Sequence, residues 1–351
     1  MRLQRYMAPV VSFVVTTVCV VTVPALAQDC PELVGSYVTP AWAHGVAVSG
    51  GYAYVADDIA GLRVIDVSDP SALEEVGFCD TPTQAQDVAV AGGYAYVADG
   101  ITGLRVIAVS DPSAPEEVGF WDTPGEAVDV AVASGYAYVA DGAAGLRVID
   151  VSDPSAPEEV GHYGLGISVH GVAVQGSYAY IVEGSGGSVV KVSNPSSPVY
   201  VGDLGMSGPG VAVSGGHAYV LQVLGNMGIF GRLWSINVTT PSEPFLEGML
   251  PFFGGMWSFP LAVAVSGDYA FVVGPAYSGG GLQVIDVSNP AEPEEVGFGE
   301  TPGYPQDVAV AGPYVYVAEG LGLSVLTSCT PLVFQDSFES GDTSAWTATV
   351  P

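Results

Sequence analysis

The chain has 351 residues, of which 37 are acidic and only 7 are basic, so its formal net charge is −30 at pH 7. The basic residues are too few to form the clustered surface that nucleic-acid binding requires, and a mean hydropathy of +0.41 excludes an intrinsically disordered acidic chain. The 47 Gly and 26 Pro residues, spread along the chain, favour many short strands joined by turns over long helices.

Residues 1–27 have the pattern of a bacterial secretory signal peptide. Arg2 and Arg5 precede an apolar run, and Ala25-Leu26-Ala27 fits a small-residue cleavage site. The apolar run is too short and too rich in Thr for a membrane anchor. We therefore expect export to the periplasm, the cell surface or the medium, as a mature chain without a membrane span. Loss of the two arginines leaves 5 basic against 37 acidic residues, a net charge near −32.

One repeat unit dominates the rest of the chain. The phrase Val-Ala-Val occurs seven times, beginning at Val46, Val88, Val130, Val172, Val211, Val263 and Val308. Each copy is followed by a pair of ring-bearing residues, such as Tyr52 and Tyr54, and then by an alternating run; the first six copies end with a Pro-containing turn and a short segment. These four segments predict four antiparallel strands, which we name a to d. Four strands in about 42 residues are typical of a β-propeller blade.

The number of strands predicts how the ring closes. The seventh copy ends with its strand c at residues 323–326, whereas residues 31–36 match the pattern of strand d and precede the first Val-Ala-Val. We therefore predict an all-β fold, a seven-bladed β-propeller of four-stranded antiparallel blades over residues 28–330, closed by the N-terminal strand. This pairing removes two open sheet edges. Residues 331–351 have lost the repeat and are predicted to form a C-terminal tail.

The phrases at strand c resemble a known family. Leu62-Arg63-Val64-Ile65-Asp66-Val67 and the runs that begin at Leu104, Leu146 and Leu282 resemble the LVIVD repeat of secreted and surface proteins of bacteria and archaea. The fourth, fifth and seventh copies depart from this phrase. The resemblance implies a β-propeller, but it implies no activity, because the family has no common assigned chemistry.

Length changes among the copies fall on one face of the predicted disc. The a–b and c–d turns keep their lengths, whereas the b–c turns and the d–a links, on the opposite face, gain residues in copies 5 and 6. We call this varying face the top face. The insertions carry large apolar side chains, which predict a binding surface; the alternative is that they pack on one another as a small additional core. The residues predicted to bind a ligand or partner are Phe230, Phe252, Phe253, Trp257, Phe259 and Tyr277.

Acidic residues form a second candidate site on the top face. Asp87, Asp129 and Asp307 each directly precede strand a, at the predicted mouth of the axial channel. Converging oxygen ligands would suit Ca²⁺, so these three are the predicted metal ligands. The alternative is that they cap turns on a solvated surface. The same two interpretations apply to the acids at the b–c turns, which are Asp57, Asp99, Asp141, Glu183 and Glu319.

The sequence contains no nucleophile elbow, no zincin motif, no Cys-x-x-Cys and no phosphate-binding loop. The leading prediction is therefore a secreted, non-enzymatic propeller that binds a protein, saccharide or surface polymer through the top-face loops of blades 5 and 6, without a cofactor other than the suggested Ca²⁺. Two alternatives remain. One is a metal-dependent hydrolase or lyase with an acidic pocket at the channel mouth, by analogy with other propellers; the other is a structural component of the cell envelope.

The cysteines predict a covalent closure of the ring. Export leaves Cys30, Cys79 and Cys329 in a compartment where disulfides persist. Alignment of the copies places Cys329 at the end of strand c and Cys30 just before strand d, at the one blade that lacks a continuous c–d turn. A disulfide between Cys30 and Cys329 would replace this turn and leave Cys79 unpaired; the alternative is that the two thiols are unrelated.

Overall fold

The computed structural model describes residues 30–164, 166, 168–224, 230–252, 259–276 and 279–329. All regular secondary structure in these residues is β-strand, arranged in seven four-stranded antiparallel sheets. This confirms the predicted seven-bladed β-propeller. The predicted signal peptide and the C-terminal tail lie outside the described residues. Within the part of the chain that is described, no helix is long and apolar enough to cross a membrane.

The strands follow the repeat from the N-terminus onward. The first strand is β1 (Leu33–Val38). Blade 1 contains β2 (Gly45–Ser49), β3 (Tyr52–Ala56), β4 (Leu62–Asp66) and β5 (Glu74–Cys79). Blade 2 contains β6 (Asp87–Ala91), β7 (Tyr94–Ala98), β8 (Leu104–Ala108) and β9 (Glu116–Trp121). Blade 3 contains β10 (Asp129–Ala133), β11 (Tyr136–Ala140), β12 (Leu146–Asp150) and β13 (Glu158–Tyr163).

The remaining blades repeat this order. Blade 4 contains β14 (Val169–Gln175), β15 (Tyr178–Glu183), β16 (Gly187–Lys191) and β17 (Val199–Asp203). Blade 5 contains β18 (Val211–Ser214), β19 (His217–Leu224), β20 (Phe230–Asn237) and β21 (Phe245–Phe252). Blade 6 contains β22 (Ala262–Ser266), β23 (Tyr269–Ala276), β24 (Gly279–Asp286) and β25 (Glu294–Thr301). Blade 7 contains β26 (Pro305–Ala311), β27 (Tyr314–Glu319), β28 (Gly322–Thr327) and β1.

The N-terminal strand completes the last blade, as the sequence predicts. β1 pairs antiparallel with β28, from Leu33 opposite Leu326 to Val38 opposite Gly322. Strand a of every blade contacts strand a of the next, and β26 contacts β2 in the same way, so the ring is closed. Closure leaves strand d of each blade as the outer edge.

The hydrophobic core is divided into seven layers, one between each pair of neighbouring blades. In the layer between blades 1 and 2, Tyr54 and Leu62 pack with Val88 and Ile107. The second aromatic residue of each strand b is buried in such a layer. Each blade thus buries both faces against its neighbours, and its stability depends on theirs.

A close contact between backbones sets the spacing of the blades. Strand d carries a bulge followed by Gly, as at Gly119 in β9. A Cβ at Gly119 would overlap the carbonyl oxygen of Pro154, in the c–d turn of the next blade. Only Gly allows so close an approach. The glycines that meet the next blade's proline in this way are Gly35, Gly77, Gly119, Gly161, Gly202 and Gly248.

At the seventh junction, Cys30 of the disulfide takes the part of the turn proline in this contact. Cys30 and Cys329 are bonded with their Cα atoms 5.5 Å apart, so the predicted pair is present. A Cβ at Gly297 of blade 6 would lie 2.8 Å from the carbonyl oxygen of Cys30, which occupies the place of the turn proline. The half-buried Cys79 is unpaired, also as predicted.

We predict that Gly119→Ala destabilises the ring. The added methyl group would force blades 2 and 3 apart, which we expect to cost about 2 kcal/mol or more in the free energy of unfolding, measured with urea. The control is Gly186→Ala, because a Cβ there meets nothing within 4 Å and its φ is not positive. Equal effects of the two substitutions would contradict the proposed role of the contact.

We also predict that the double substitution Cys30→Ser and Cys329→Ser lowers the free energy of unfolding by up to about 5 kcal/mol, because the disulfide closes a loop that spans almost the whole described chain. Urea unfolding without reductant measures the change, and Cys79→Ser is the matched control. Non-reducing peptide mapping identifies the bond. Recovery of Cys30 joined to Cys79, or of three free thiols, would contradict this closure.

Candidate functional site

The top face is formed by the b–c turns and the d–a links, and it is raised at blades 5 and 6. In blades 1 to 3, strands b and c have five residues each, whereas β19, β20, β23 and β24 have eight. The ladders extend to Leu224 opposite Phe230 and to Ala276 opposite Gly279. The insertions that the sequence predicts as loops therefore lengthen two hairpins, which project beyond the other blades on the same face. We call them the raised hairpins.

The predicted aromatic site is partly core. Phe252 is only 3% exposed and packs with Tyr219 and Leu233 between blades 5 and 6. Little of Phe252 is therefore accessible to a partner, and binding by Phe252 stays a prediction. Phe259 is half-buried and lines, with Phe252, a crevice of about 40 Å³.

The other predicted aromatic residues are not placed. Phe253, Trp257 and Tyr277 lie outside the described residues, and Phe230 is described only as the first residue of β20. Binding by these four residues stays a prediction.

The three aspartates at strand a line one cavity at the mouth of the axial channel. The cavity has a volume of about 280 Å³ and also contacts His44 and His170. Each aspartate accepts a hydrogen bond from the backbone N–H of the first Val in the Val-Ala-Val phrase of the next blade. These bonds join Asp87 to Val130 (2.9 Å), Asp129 to Val172 (2.7 Å) and Asp307 to Val46 (2.9 Å). The carboxylates thus join neighbouring blades.

The carboxylates are close enough to change one another's titration. Burial raises the pKa of Asp129 well above its usual range, and the charge of Asp87 and a hydrogen bond shared with it raise it further. Burial and the charge of Asp87 raise the pKa of Asp307 to about 7, against the lowering effect of its backbone donors. The cavity therefore retains protons at pH values where ordinary carboxyl groups have lost them.

The geometry gives no support to Ca²⁺ binding at Asp87, Asp129 and Asp307. Among the described residues, no group of three or more His, Cys, Asp or Glu side chains is arranged so that it could hold a metal ion. Each of the three carboxylates already has one oxygen on a backbone N–H. This arrangement is closer to the capping interpretation than to a metal site. It differs from an ordinary turn cap in that each aspartate accepts its hydrogen bond from the next blade.

The acids at the b–c turns are structural. Asp57 is fully buried and accepts hydrogen bonds from the hydroxyl of Thr39 at 2.6 Å and the N–H of Ala41 at 3.0 Å, both in the link that enters its blade. Asp99 and Asp141 repeat this arrangement. Glu319 likewise accepts the N–H of Gly303 and the hydroxyl of Ser324. These acids attach links to turns and support the capping interpretation.

Sequence reasoning missed a set of exposed apolar side chains on the top face, outside blades 5 and 6. They lie on the b–c turns of blades 7, 1 and 2 and on the links into blades 7 and 1, where polar residues are usual. We call them the apolar arc, and its members are Trp42 (40% exposed), Ile59 (72%), Ile101 (71%), Tyr304 (55%) and Leu321 (57%). These turns have ordinary length, so a comparison of lengths could not detect them; the residue types at the turn positions could have.

Comparisons with known proteins agree with this architecture. The model of the LVIVD repeat matches residues 42–81, 82–123, 124–164, 168–204, 261–301 and 302–326. The unmatched stretch, residues 205–260, contains blade 5 with its raised hairpin. Among curated proteins, none is significantly similar in sequence.

Several solved structures share the fold at very low identity. A chain of a mitotic checkpoint complex has a TM-score of 0.68 at 11% identity and covers 93% of this chain and 98% of its own. The β-propeller domain of Cps50 (Swd1) from Myceliophteria thermophila has a TM-score of 0.64 at 10% identity, over 85% and 99% of the two chains. The computationally designed Ika8 protein has a TM-score of 0.60 at 9% identity, over 85% and 99%. These similarities show the fold alone.

We predict that Asp307→Asn stabilises the protein at pH 8. The folded state keeps the Asp307 proton up to about pH 7, whereas the unfolded state loses it near pH 4. Stability therefore falls as pH rises between these values, and the amide, which does not ionise, removes this loss. We expect a gain of about 1 to 3 kcal/mol at pH 8 and little gain at pH 4, measured by urea unfolding.

The matched control is Asp69→Asn. Asp69 is exposed, and hydrogen bonds from Ser71 lower its pKa, so its replacement should give no gain at pH 8. A loss of stability in Asp307→Asn at pH 8 would show that the hydrogen bond to Val46 matters more than the buried charge.

Proposed function

Because this chain belongs to the LVIVD repeat family and its closed ring raises two hairpins on one face, we propose that it is a non-enzymatic binding protein whose top face, beside blades 5 and 6, holds a protein, saccharide or surface polymer. The observation that carries this proposal is the one-sided extension of β19–β20 and β23–β24. A scaffold of regular blades with variable turns on one face is the usual arrangement of a binding surface.

The internal contacts of the raised hairpins support a rigid binding edge. The indole N–H of Trp234 donates to Gln222 at 2.9 Å, across the blade 5 hairpin. In blade 6, a Cβ at Gly274 would overlap the carbonyl oxygen of Phe259, so the hairpin rests directly on the link that enters its blade. Rigid elements lose little conformational entropy on binding, which favours affinity.

Two of the top-face cavities, the crevice beside Phe252 and the axial cavity, give no support to an enclosed ligand. The crevice beside Phe252 has about 40 Å³, far below the several hundred Å³ of sites that enclose small molecules. The axial cavity is larger, at about 280 Å³, but its three aspartates are bonded to backbone N–H groups. No observation favours the hydrolase or lyase alternative.

We further propose that the protein acts outside the cytoplasm. The bond between Cys30 and Cys329 needs an oxidising compartment to persist. The signal-peptide pattern of residues 1–27 points to the same location. A structural role in the cell envelope remains compatible with this location, and the binding experiment below separates the two functions.

We predict that shortening both raised hairpins abolishes binding and leaves the fold intact. Residues 222–232 and 274–281 would each be replaced by the sequence of residues 57–61, because Leu221 opposite Leu233 and Val273 opposite Leu282 correspond to Ala56 opposite Leu62. Strand β21, which ends at Phe252, and the link that follows it are left unchanged, since Phe252 is core. Binding is measured on an array of peptides, saccharides and envelope polymers.

The matched control replaces residues 99–103 of blade 2 by the same five residues, which changes a turn without changing its length. It should bind as the wild type does. If no array member binds the wild type, or if the shortened variant binds equally well, the proposed function is wrong. Failure of the shortened variant to fold would show that the raised hairpins belong to the core and would also contradict it.

A further inference from the structure

The aromatic end of the apolar arc is a single packed unit. The rings of Trp42 and Tyr304 stack with their centroids 6.3 Å apart and their planes 16° from parallel. Trp42 also lies against Gly320, where a Cβ would come within 2.5 Å of its ring. Gly320 in turn donates its N–H to the carbonyl of Tyr304 at 3.0 Å. These contacts hold the two rings against the turn that also carries Leu321, and both rings remain partly exposed.

The turns that carry the aliphatic end of the apolar arc are bonded to the links beside them. The turn that carries Ile59 is bonded to the link that carries Trp42, and it also pairs with the link that enters blade 2. That link is bonded to the turn that carries Ile101. The connecting contacts are the hydrogen bond from Ala41 N–H to Asp57 (3.0 Å), the bridge between Asp58 and Ala85, and the hydrogen bond from Thr83 N–H to Asp99 (3.0 Å). Hydrogen bonds and a backbone bridge therefore join the segments that carry the apolar arc across three blades.

Acidic groups surround the apolar arc, and its basic neighbours are already neutralised. Blade 7 has no Lys or Arg, and blades 1 and 2 have one Arg each. Both arginines contact three carboxylates. Arg63 lies 3.5 to 3.9 Å from Asp57, Glu75 and Asp80, and Arg105 lies 3.2 to 3.9 Å from Asp99, Glu117 and Asp122. The side chains of Asp80 and Asp122 are mostly exposed, in links next to the apolar arc.

From this juxtaposition we propose that the apolar arc is the docking surface for a basic polypeptide segment, in which aliphatic or aromatic side chains alternate with Lys or Arg. The apolar side chains of the segment would cover the five residues of the apolar arc, and its cations would meet the exposed carboxylates of the links. The proposal goes beyond the proposed function, because it names a second docking surface on the same top face, outside the raised hairpins. Opposite charge would also speed the encounter.

The chemistry of the apolar arc disfavours two other occupants. A saccharide needs hydrogen-bonding groups beside an aromatic ring, and three of the five side chains are aliphatic. A second copy of this chain would bring another net charge of −30 against the first. Both remain outcomes of the experiment below.

The test uses calorimetry on the mature protein with a synthetic peptide that alternates Lys and Leu. Two analogues separate the apolar contribution from the electrostatic one. The first has Ser in place of Leu, and the second has Glu in place of Lys. We expect the Lys–Leu peptide to bind and neither analogue to bind. High salt should weaken binding of the Lys–Leu peptide at least about tenfold. No binding of this peptide, equal binding of either analogue, or a preference for saccharides or self-association at this surface would overturn the proposal.

Variants show whether the peptide occupies the apolar arc. The triple substitution Ile59→Ser, Ile101→Ser and Leu321→Ser should weaken binding at least about tenfold, since it removes the aliphatic contacts without changing charge. The control is Val199→Ser, Phe245→Ser and Leu246→Ser, which alters apolar residues on the outer strands of blades 4 and 5 that are about half exposed. Equal weakening by both triples would overturn the proposal. If the first triple unfolds, Ile59→Ser and Ile101→Ser as single changes provide the same comparison.

The same variants separate this proposal from the proposed function. If the array identifies a partner that the shortened hairpins no longer bind, while the variant of the apolar arc binds it unchanged, top-face binding stands and the apolar arc is not its site. If the array identifies no partner, the proposed function fails, whatever the Lys–Leu peptide does.

Discussion

The contact between the glycine of strand d and the proline carbonyl of the next c–d turn is the constraint on which the rest of the ring depends. It recurs at six junctions, and at the seventh the carbonyl of Cys30 takes the place of the proline. Because the c–d turn touches the neighbouring blade, it cannot change length without opening the ring. The b–c turns and d–a links contact one another on the opposite face, where the hydrogen bond from Ala41 to Asp57 and the bridge between Asp58 and Ala85 join them. The insertions of blades 5 and 6 and the exposed residues of the apolar arc all lie on that face.

Closure by the two termini makes the last blade different from the others. β1 completes the sheet of blade 7, so one junction lacks a continuous chain between strands c and d. The bond between Cys30 and Cys329 restores both the covalent connection and the contact with Gly297. The disulfide therefore acts on the geometry of the ring as well as on the entropy of the unfolded chain.

The excess of acidic residues has separate structural and surface consequences. Buried carboxylates such as Asp57 and Asp307 accept backbone and hydroxyl hydrogen bonds that join links, turns and blades. In the axial cavity, burial and the charge of Asp87 raise the pKa of Asp129 and Asp307, so we expect stability to fall as these two residues ionise. The exposed carboxylates, such as Asp80, leave an anionic top face around apolar groups. Acidic residues thus stabilise contacts between links, turns and blades, and they give the top face its negative charge.

The sequence by itself determined the blades, their number, the N-terminal closure and the disulfide, because each follows from the alignment of one repeat with itself. It could not determine exposure on the top face. Phe252 ends strand d of blade 5 and Trp42 lies in the link into blade 1, yet the first is buried and the second is accessible, since burial there depends on which distant segment covers each residue. The aspartates of strand a likewise needed the tertiary structure, because their hydrogen-bond donors lie about 43 residues away or, for Asp307, at the other end of the chain. Contacts between blades, which no single repeat contains, decided these positions.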